Sequence, residues 1–310
     1  MLPPLTWTLA ENASLAGQAL GLAEAAGIAA VPRLLQPRGL WRRVAPALWP
    51  WPLTAIGQAA LAPPLADLVI GAGGKAAAVL AALRARTRTV IVQHPRMDIR
   101  RFDLVVVSDH DDLRGPNVLS VRTAVHRVTP ARLAAAAAVW GPRFAGLGRP
   151  LVAVLVGGSN GRFRMGVAEA EALAAGLAGM MGRDRVGLVV TPSRRTGAAV
   201  RGVLERVLRP LGAQIWDMTG ENPYFGMLAC ADALVVTGDS VSMLAEAVAT
   251  RAPVLLAPLP GRSKRIGVFS GGLLASGRVR RFAGRLELWP VEAIDDTPAV
   301  ASEMCRRFGY

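Results

Sequence analysis

Short β-branched runs alternate with Ala- and Leu-rich stretches along the whole chain, and this alternation constrains the fold more than any other feature. A strand followed by a long helical stretch cannot close as a hairpin, so the next strand lies parallel to it. In the first half, residues 7–9, 68–71, 89–93, 104–107 and 118–121 read as strands. Helices are expected over about 17–26 and 75–86, and one opens at Thr129-Pro130, where Thr caps and Pro takes the first helical position. A second series has strands at 151–156, 187–191, 214–216, 233–237 and 253–257, and a last helix from Thr297-Pro298 to about Phe308. Between the series, residues 141–150 are punctuated by Gly and Pro and read as a linker. The expected fold is α/β: two Rossmann-like domains, 1–145 and 146–310, with a cleft between them and with helix 297–308 able to pack back on the first. Ligands of such sheets bind beyond the carboxyl ends of the strands.

Composition narrows the partners. The chain carries 36 basic and 22 acidic side chains, a formal charge of +14, and only Lys75 and Lys264 among the basic residues are lysines. Such an excess suits anionic partners, while arginine-rich coding in a GC-rich genome accounts for it equally well. Aromatic content is 5%, and no motif interleaves aromatics with the arginines, which argues against nucleic acid. Two cysteines, Cys230 and Cys305, exclude a disulfide framework and a cysteine zinc site; both are expected buried, in a reducing, cytoplasmic setting. The start, Met1-Leu2-Pro3-Pro4-Leu5, lacks the basic region of a signal peptide. Residues 44–66 are 23 uncharged residues, long enough to span a bilayer, but five prolines including Pro63 break the helix ladder. Trp41, Arg42, Arg43, Trp49 and Trp51 nonetheless resemble a segment at a lipid headgroup interface, with packing of a Pro-rich loop as the alternative.

The loops after the strands carry the chemistry. Gly157-Gly158-Ser159 follows a strand, where glycines let backbone N–H groups approach a phosphate or simply make a tight turn. Ser193, Arg194 and Arg195 end the next strand as a candidate anion clamp. Gly238-Asp239-Ser240-Val241-Ser242 feeds a helix whose N-terminus suits an anion, and Glu246 further along that helix suits a ribose diol. The same string approaches the nucleophile elbow of hydrolases, but His94, His110 and His126 all precede Ser240, and Ser242 replaces the final glycine.

In the first half, Gly71-Ala72-Gly73-Gly74-Lys75-Ala76 fits a dinucleotide fingerprint without its acidic partner, and Ala76 excludes a Walker loop. An acceptor or phosphate site at Gly73, Gly74 and Lys75 is the surviving functional reading, against close helix–sheet packing. Ser108-Asp109-His110-Asp111-Asp112 offers His110 or Asp111 as a general base, or a capped surface turn; its spacing does not suit a metal, and no metal is expected.

Several strings resemble one family. They are Thr191-Pro192-Ser193-Arg194-Arg195-Thr196, Thr219-Gly220-Glu221-Asn222-Pro223-Tyr224-Phe225, and Thr237-Gly238-Asp239-Ser240-Val241-Ser242-Met243, with Arg101-Phe102-Asp103 and Arg114-Gly115-Pro116-Asn117. Together they are similar to the Elm-type mitochondrial fission family, named for a plant protein and widespread in bacteria. The family in turn resembles GT-B glycosyltransferases, which implies two Rossmann-like domains with the nucleotide-sugar held mainly by the second. On that resemblance Gly157, Gly158 and Ser159 match the glycine loop, Ser240, Val241 and Ser242 the diphosphate turn, and Glu246 the ribose carboxylate. Asn222 and Phe225 fall near the base, and Lys264 and Arg265 near a second phosphate or the sugar. The family's Lys- and His-bearing loop after the first strand is missing; this chain has Ala10-Glu11-Asn12-Ala13-Ser14 there, leaving Glu11 as its substitute. The resemblance implies transfer of a sugar from a nucleoside-diphosphate donor, UDP-linked, to a lipid-linked envelope acceptor, with no further cofactor and a peripheral place on the cytoplasmic membrane face. The alternative is a non-catalytic adaptor of the same fold that acts in membrane fission or envelope organisation through a protein partner.

Overall fold

The computed structural model describes residues 4–57, 61 and 64–310; Met1, Leu2 and Pro3 of the N-terminal stretch and Pro63 of the uncharged stretch lie outside them. The chain divides into two compact units, residues 1–127 with 295–310, and residues 128–294.

Unit 1 contains β1 (Thr6–Ala10), α1 (Ala13–Ala25), β2 (Ala30–Leu34), α2 (Pro52–Ala55), β3 (Leu68–Ala72), α3 (Gly74–Leu83), β4 (Arg88–Val92), β5 (Leu104–Ser108) and β6 (Val118–Val121). The strands form one parallel sheet in the order β2-β1-β3-β4-β5-β6. β1 and β3 are buried throughout, as strands covered on both faces must be. Trp7, Leu9 and Val69 pack with Val79, Leu80 and Leu83 of α3 on one face. On the other, Leu68 and Ile70 pack with Ala19 and Leu22 of α1.

Unit 2 contains α4 (Pro130–Phe144), β7 (Leu151–Val156), α5 (Val167–Asp184), β8 (Gly187–Pro192), α6 (Ala198–Leu208), β9 (Gln214–Ile215), α7 (Tyr224–Cys230), β10 (Ala233–Thr237), α8 (Val241–Val248), β11 (Val254–Ala257), α9 (Lys264–Ala275) and β12 (Val279–Arg281). Its sheet is also parallel, in the order β12-β11-β10-β7-β8-β9. Counted from its own first strand this is 3-2-1-4-5-6 read from the other edge, the Rossmann order. The last helix, α10 (Thr297–Phe308), belongs to unit 1, where Val300, Ala301 and Met304 join the core beneath α1. Asp296, its N-cap residue, accepts from the backbone N–H of Arg122 at 2.7 Å and pairs with that residue's guanidinium.

Two edge strands escape the sequence pattern. β2 is largely exposed and includes Pro32, which an edge strand tolerates, and β12 has three residues. α1 starts at Ala13 rather than near Gly17, because Asn12 caps it by accepting from the N–H of Leu15. Cys230 and Cys305 are unpaired and half-buried rather than buried. The described part of residues 44–66 holds short turns and α2, and no helix among the described residues is long and apolar enough to cross a membrane.

The expected linker at 141–150 and the division at 145/146 differ from the structure. α4 runs through Gly141 and Pro142 to Phe144, and the units part after Arg127 instead. Packing outweighs the helix-breaking residues there. Trp140 and Phe144 are buried and stacked at 5.6 Å, and Trp140 presses on Gly226 of α7 so closely that a Cβ there would lie 2.2 Å from its ring.

Gly226→Ala tests that contact. Helix propensity favours Ala by about 1 kcal/mol, but the clash costs about 1–3 kcal/mol, so urea denaturation is expected to show net destabilisation.

Candidate functional site

In unit 2 the winding of the sheet reverses between β7 and β10, so the loops after these two strands diverge at its carboxyl edge, where ligands of such sheets bind. Asp239, in the turn after β10, organises that edge. Its side chain is 0% exposed. Oδ2 accepts from the N–H of Gly158 at 3.0 Å and from Nη1 of Arg195 at 2.6 Å, and Oδ1 accepts from the Thr237 hydroxyl at 2.7 Å. Thr237 Oγ1 in turn accepts from the N–H of Gly157 at 2.7 Å. A Cβ at Gly157 would lie 2.1 Å from Asp239 Oδ1, and one at Gly158 would lie 2.1 Å from the Arg195 carbonyl oxygen.

This geometry revises the roles expected of the glycine loop and the strand-end clamp. The N–H groups of Gly157 and Gly158 are used within the protein, because a buried carboxylate must be given donors. The hydroxyl of the exposed Ser159 is likewise used within the protein, accepting from Met165 N–H at 2.9 Å. Ser193 and Thr196 donate their hydroxyls to the Gly157 carbonyl oxygen, and Arg195 also holds that of Gly158 at 3.1 Å. The loop after β8 is therefore a brace. Arg194 is exposed and, among the described residues, makes no ion pair, so of this group it is the guanidinium open to a ligand.

α8 starts directly from that turn. Ser240 caps it, accepting from Met243 N–H at 3.4 Å, and Val241 and Ser242 form its first turn. Its N-terminus carries the partial positive charge of the helix. At the other end the buried Arg278 donates to the Val248 and Thr250 carbonyl oxygens at 3.0 and 2.8 Å; burial pulls this guanidinium down to about 10. Glu246, on the second turn, accepts at Oε2 from the Tyr224 hydroxyl at 2.5 Å. Burial pushes Glu246 up to about 7, partly offset by the Tyr224 hydrogen bond, and pushes the Tyr224 hydroxyl well above its ordinary value.

Asn222 holds the start of α7, accepting from Tyr224 N–H at 3.0 Å. Phe225 lies edge-on to Tyr224 at 5.8 Å, with the Arg132 guanidinium 5.2 Å over its ring. Lys264 and Arg265 open α9 and are exposed. The loop before α9 is tied to the glycine loop by an antiparallel bridge between Phe163 and Gly261. Beside it lies an open hollow of about 390 Å³, lined by Asn160, Arg162, Arg164 and Pro260 among others. Asp239, Thr237, Tyr224 and Arg278 went unassigned in the sequence. Asp239 stands inside the string expected to bind an anion, where a carboxylate looks out of place, and Tyr224 stands between two residues assigned to the base.

In unit 1 the order of strands reverses between β1 and β3, and Glu11 and Lys75 meet there in an ion pair of 2.6 Å. Gly73 caps α3 at a φ of +89°, and Gly74 begins the helix. Glu11 and the Gly73, Gly74, Lys75 trio thus form one cluster. His110 and Asp111 lie elsewhere, in a turn after β5, two strands away from β3. Of the expected membrane-contact residues, Trp49 is buried, Trp41 is half-buried, and Arg42, Arg43 and Trp51 are exposed. Among the described residues no three His, Cys, Asp or Glu side chains come together to hold a metal.

A family model described as mitochondrial fission ELM1 matches residues 14–308. The chain belongs to the ELM1 mitochondrial fission family. The mitochondrial fission protein ELM1 of Arabidopsis thaliana is 32% identical over 248 residues, which cover 70% of this chain and 57% of that protein. The ELM1-family chain thus matches little more than half the length of this relative.

Among solved structures, the UDP-GlcNAc 2-epimerase of Methanocaldococcus jannaschii superposes with a TM-score of 0.59 at 10% identity, covering 99% of each chain. MnaA of S. aureus with UDP gives 0.57 at 10% identity over 99% and 96% of the two chains. UGT89C1 of Arabidopsis thaliana with UDP gives 0.54 at 11% identity over 98% and 90%. At these identities the likeness is one of fold. The ELM1-family chain has a GT-B fold of two Rossmann-like domains.

Two variants test the site. Asp239→Asn leaves Arg195 without its carboxylate and is expected to cost roughly 2–4 kcal/mol in urea denaturation, below the ~3–5 of a fully buried pair because Arg195 keeps contact with water. Glu246 titrates near 4.5 when unfolded and about 7 when folded. Between those values the folded state holds a proton that the unfolded state has released, so stability falls as pH rises through the window. Relative to Glu246→Gln, the wild type is expected to lose up to about 3 kcal/mol between about pH 4 and pH 8 in paired denaturation curves.

Proposed function

We infer that this chain binds a nucleoside diphosphate-sugar, UDP-linked, at the carboxyl edge of the unit 2 sheet, and transfers the sugar to a lipid-linked acceptor of the cell envelope. One observation carries the reading: the capped N-terminus of α8 stands at the switch point of a Rossmann sheet, with Glu246 on the same helix. The helix end and the exposed Arg194 would stabilise the diphosphate as it departs, with Lys264 and Arg265 as further cations. Glu246 would accept from the ribose hydroxyls, a role that requires its ionised form and either shares or displaces the Tyr224 hydroxyl. UDP in the structures of MnaA and UGT89C1 supports the choice of donor, as a property of those proteins. In unit 1, Lys75 and the start of α3 would receive the acceptor, with Glu11 as the candidate base and His110 or Asp111 as the others weighed.

A second reading has a specific observation behind it. Glu11, the substitute for the missing His, is tied to Lys75 in an ion pair, and His110 lies two strands from that cluster. A chain that binds nucleotide without turning it over, acting as an adaptor through a protein partner, fits this arrangement.

Calorimetry with UDP tests the donor site. The wild type is expected to bind, and Glu246→Ala to bind about tenfold to a hundredfold more weakly, the equivalent of ~1.5–3 kcal/mol for a lost charged hydrogen bond. No binding by the wild type, or equal binding by the variant, removes the assignment. Transfer of label from UDP-GlcNAc and UDP-glucose into a lipid extract then separates the readings: UDP binding without transfer favours the adaptor.

A further inference from the structure

The segment between β2 and α2 is pinned from inside and apolar outside. Trp49 is buried and its Nε1 donates to the Val44 carbonyl oxygen at 3.1 Å. Trp41 packs edge-on against Trp49 at 6.4 Å and joins the core beside α3. The N–H of Arg38 donates to the Ala55 carbonyl oxygen at 2.9 Å, tying the segment to α2. Held in this way, the segment presents Leu40, Leu48 and Trp51 to solvent at 79, 72 and 68% exposure. Among the described residues, five of the twelve exposed large apolar side chains fall within residues 31–51, so the exposure is concentrated rather than scattered.

The charge beside these side chains has one sign. Arg38, Arg42 and Arg43 are exposed, and no acidic residue occurs between Glu24 and Asp67. Elsewhere the arginines commonly have carboxylate partners: Arg122 with Asp296, Arg127 with Glu24, Arg149 with Asp232, Arg307 with Glu303. A soluble surface rarely combines bare Leu and Trp with unopposed arginines. An anionic bilayer offers both counterparts at one depth, phosphate for the guanidinium groups and acyl chain for the apolar tips.

We propose that residues 38–51 form a docking surface for an anionic lipid bilayer. Leu40, Leu48 and Trp51 enter the headgroup boundary, Arg38, Arg42 and Arg43 hold lipid phosphates, and Trp41 and Trp49 are the internal anchors that keep the segment in shape. The surface lies in unit 1 and uses none of the residues assigned to nucleotide binding, so it stands whether or not sugar is transferred.

Co-sedimentation of the full chain with phosphatidylcholine vesicles, with and without about 30% phosphatidylglycerol, tests it. The wild type is expected to sediment with the anionic vesicles at low salt and to be released as salt rises. Arg42→Gln/Arg43→Gln is expected to lower the partition by about thirtyfold, since each basic side chain near such a surface contributes about fivefold. Leu40→Ser/Leu48→Ser is expected to lower it by roughly tenfold or more. Arg251→Gln/Arg281→Gln, two exposed arginines of unit 2, is expected to stay within about twofold of the wild type. Circular dichroism checks that each variant is folded, and the arginine variants, altered only at exposed side chains, carry the test if the leucine variant is not. Absence of binding to anionic vesicles overturns the proposal, as does equal loss in the unit 2 variant. Sedimentation equilibrium showing a dimer that Leu40→Ser/Leu48→Ser dissociates also overturns it, assigning the surface to a second copy of the chain.

Discussion

A carboxylate with no exposure to water holds the working edge of unit 2 together. Burying Asp239 would be costly if it were bare, and the protein meets that cost with donors from three directions: the Gly158 amide, the Thr237 hydroxyl and the Arg195 guanidinium. Those donors come from the ends of β7, β10 and β8. One side chain therefore fixes three loops relative to one another, and it does so at the point where the sheet reverses its winding. The two glycines of the β7 loop follow from this, since any Cβ would meet the Asp239 carboxylate or the Arg195 backbone.

With the loops fixed, the start of α8 is fixed as well. The helix is capped by Ser240 at its start and held by Arg278 at its end, so its N-terminus has a defined place. Arg195 is committed to Asp239, while its neighbour Arg194 stays exposed. Glu246 sits where burial resists its ionisation and Tyr224 supplies a donor. On the proposed ribose contact a ligand diol would take over that work, which would couple binding to the ionisation of Glu246.

Unit 1 repeats the Rossmann logic with a different filling. Its switch point between β1 and β3 holds an ion pair, Glu11 with Lys75, where unit 2 holds a neutralised network ending in a helix N-terminus. The segment that follows β2 adds an apolar and basic surface to the same unit. The proposed nucleotide site and the proposed docking surface thus fall in different units.

Residues read directly from the sequence were those whose local surroundings decide their state. Buried strands such as residues 151–156 and 233–237 are continuous apolar runs, Thr129-Pro130 marks a helix start because a cap is local, and Pro298 marks another from within its first turn. The family strings single out Ser240 and Glu246, which the structure places on one helix, as its cap and in its second turn. Edge strands β2 and β12 were illegible because half-exposed backbone leaves no apolar pattern. The division of the chain was misplaced because Gly141 and Pro142 look like a break, while Trp140 and Phe144, by packing on α7, carry the helix through. The partner of each polar group belongs to tertiary structure alone: that Arg195 serves Asp239, that Glu11 serves Lys75, and that Tyr224 serves Glu246 depends on side chains brought together across 44, 64 and 22 positions of sequence. The sequence determined which residues carry charge and which runs become strands, because both are properties of the chain itself. Only the folded structure decided which charges are spent on each other and which stay open to solvent.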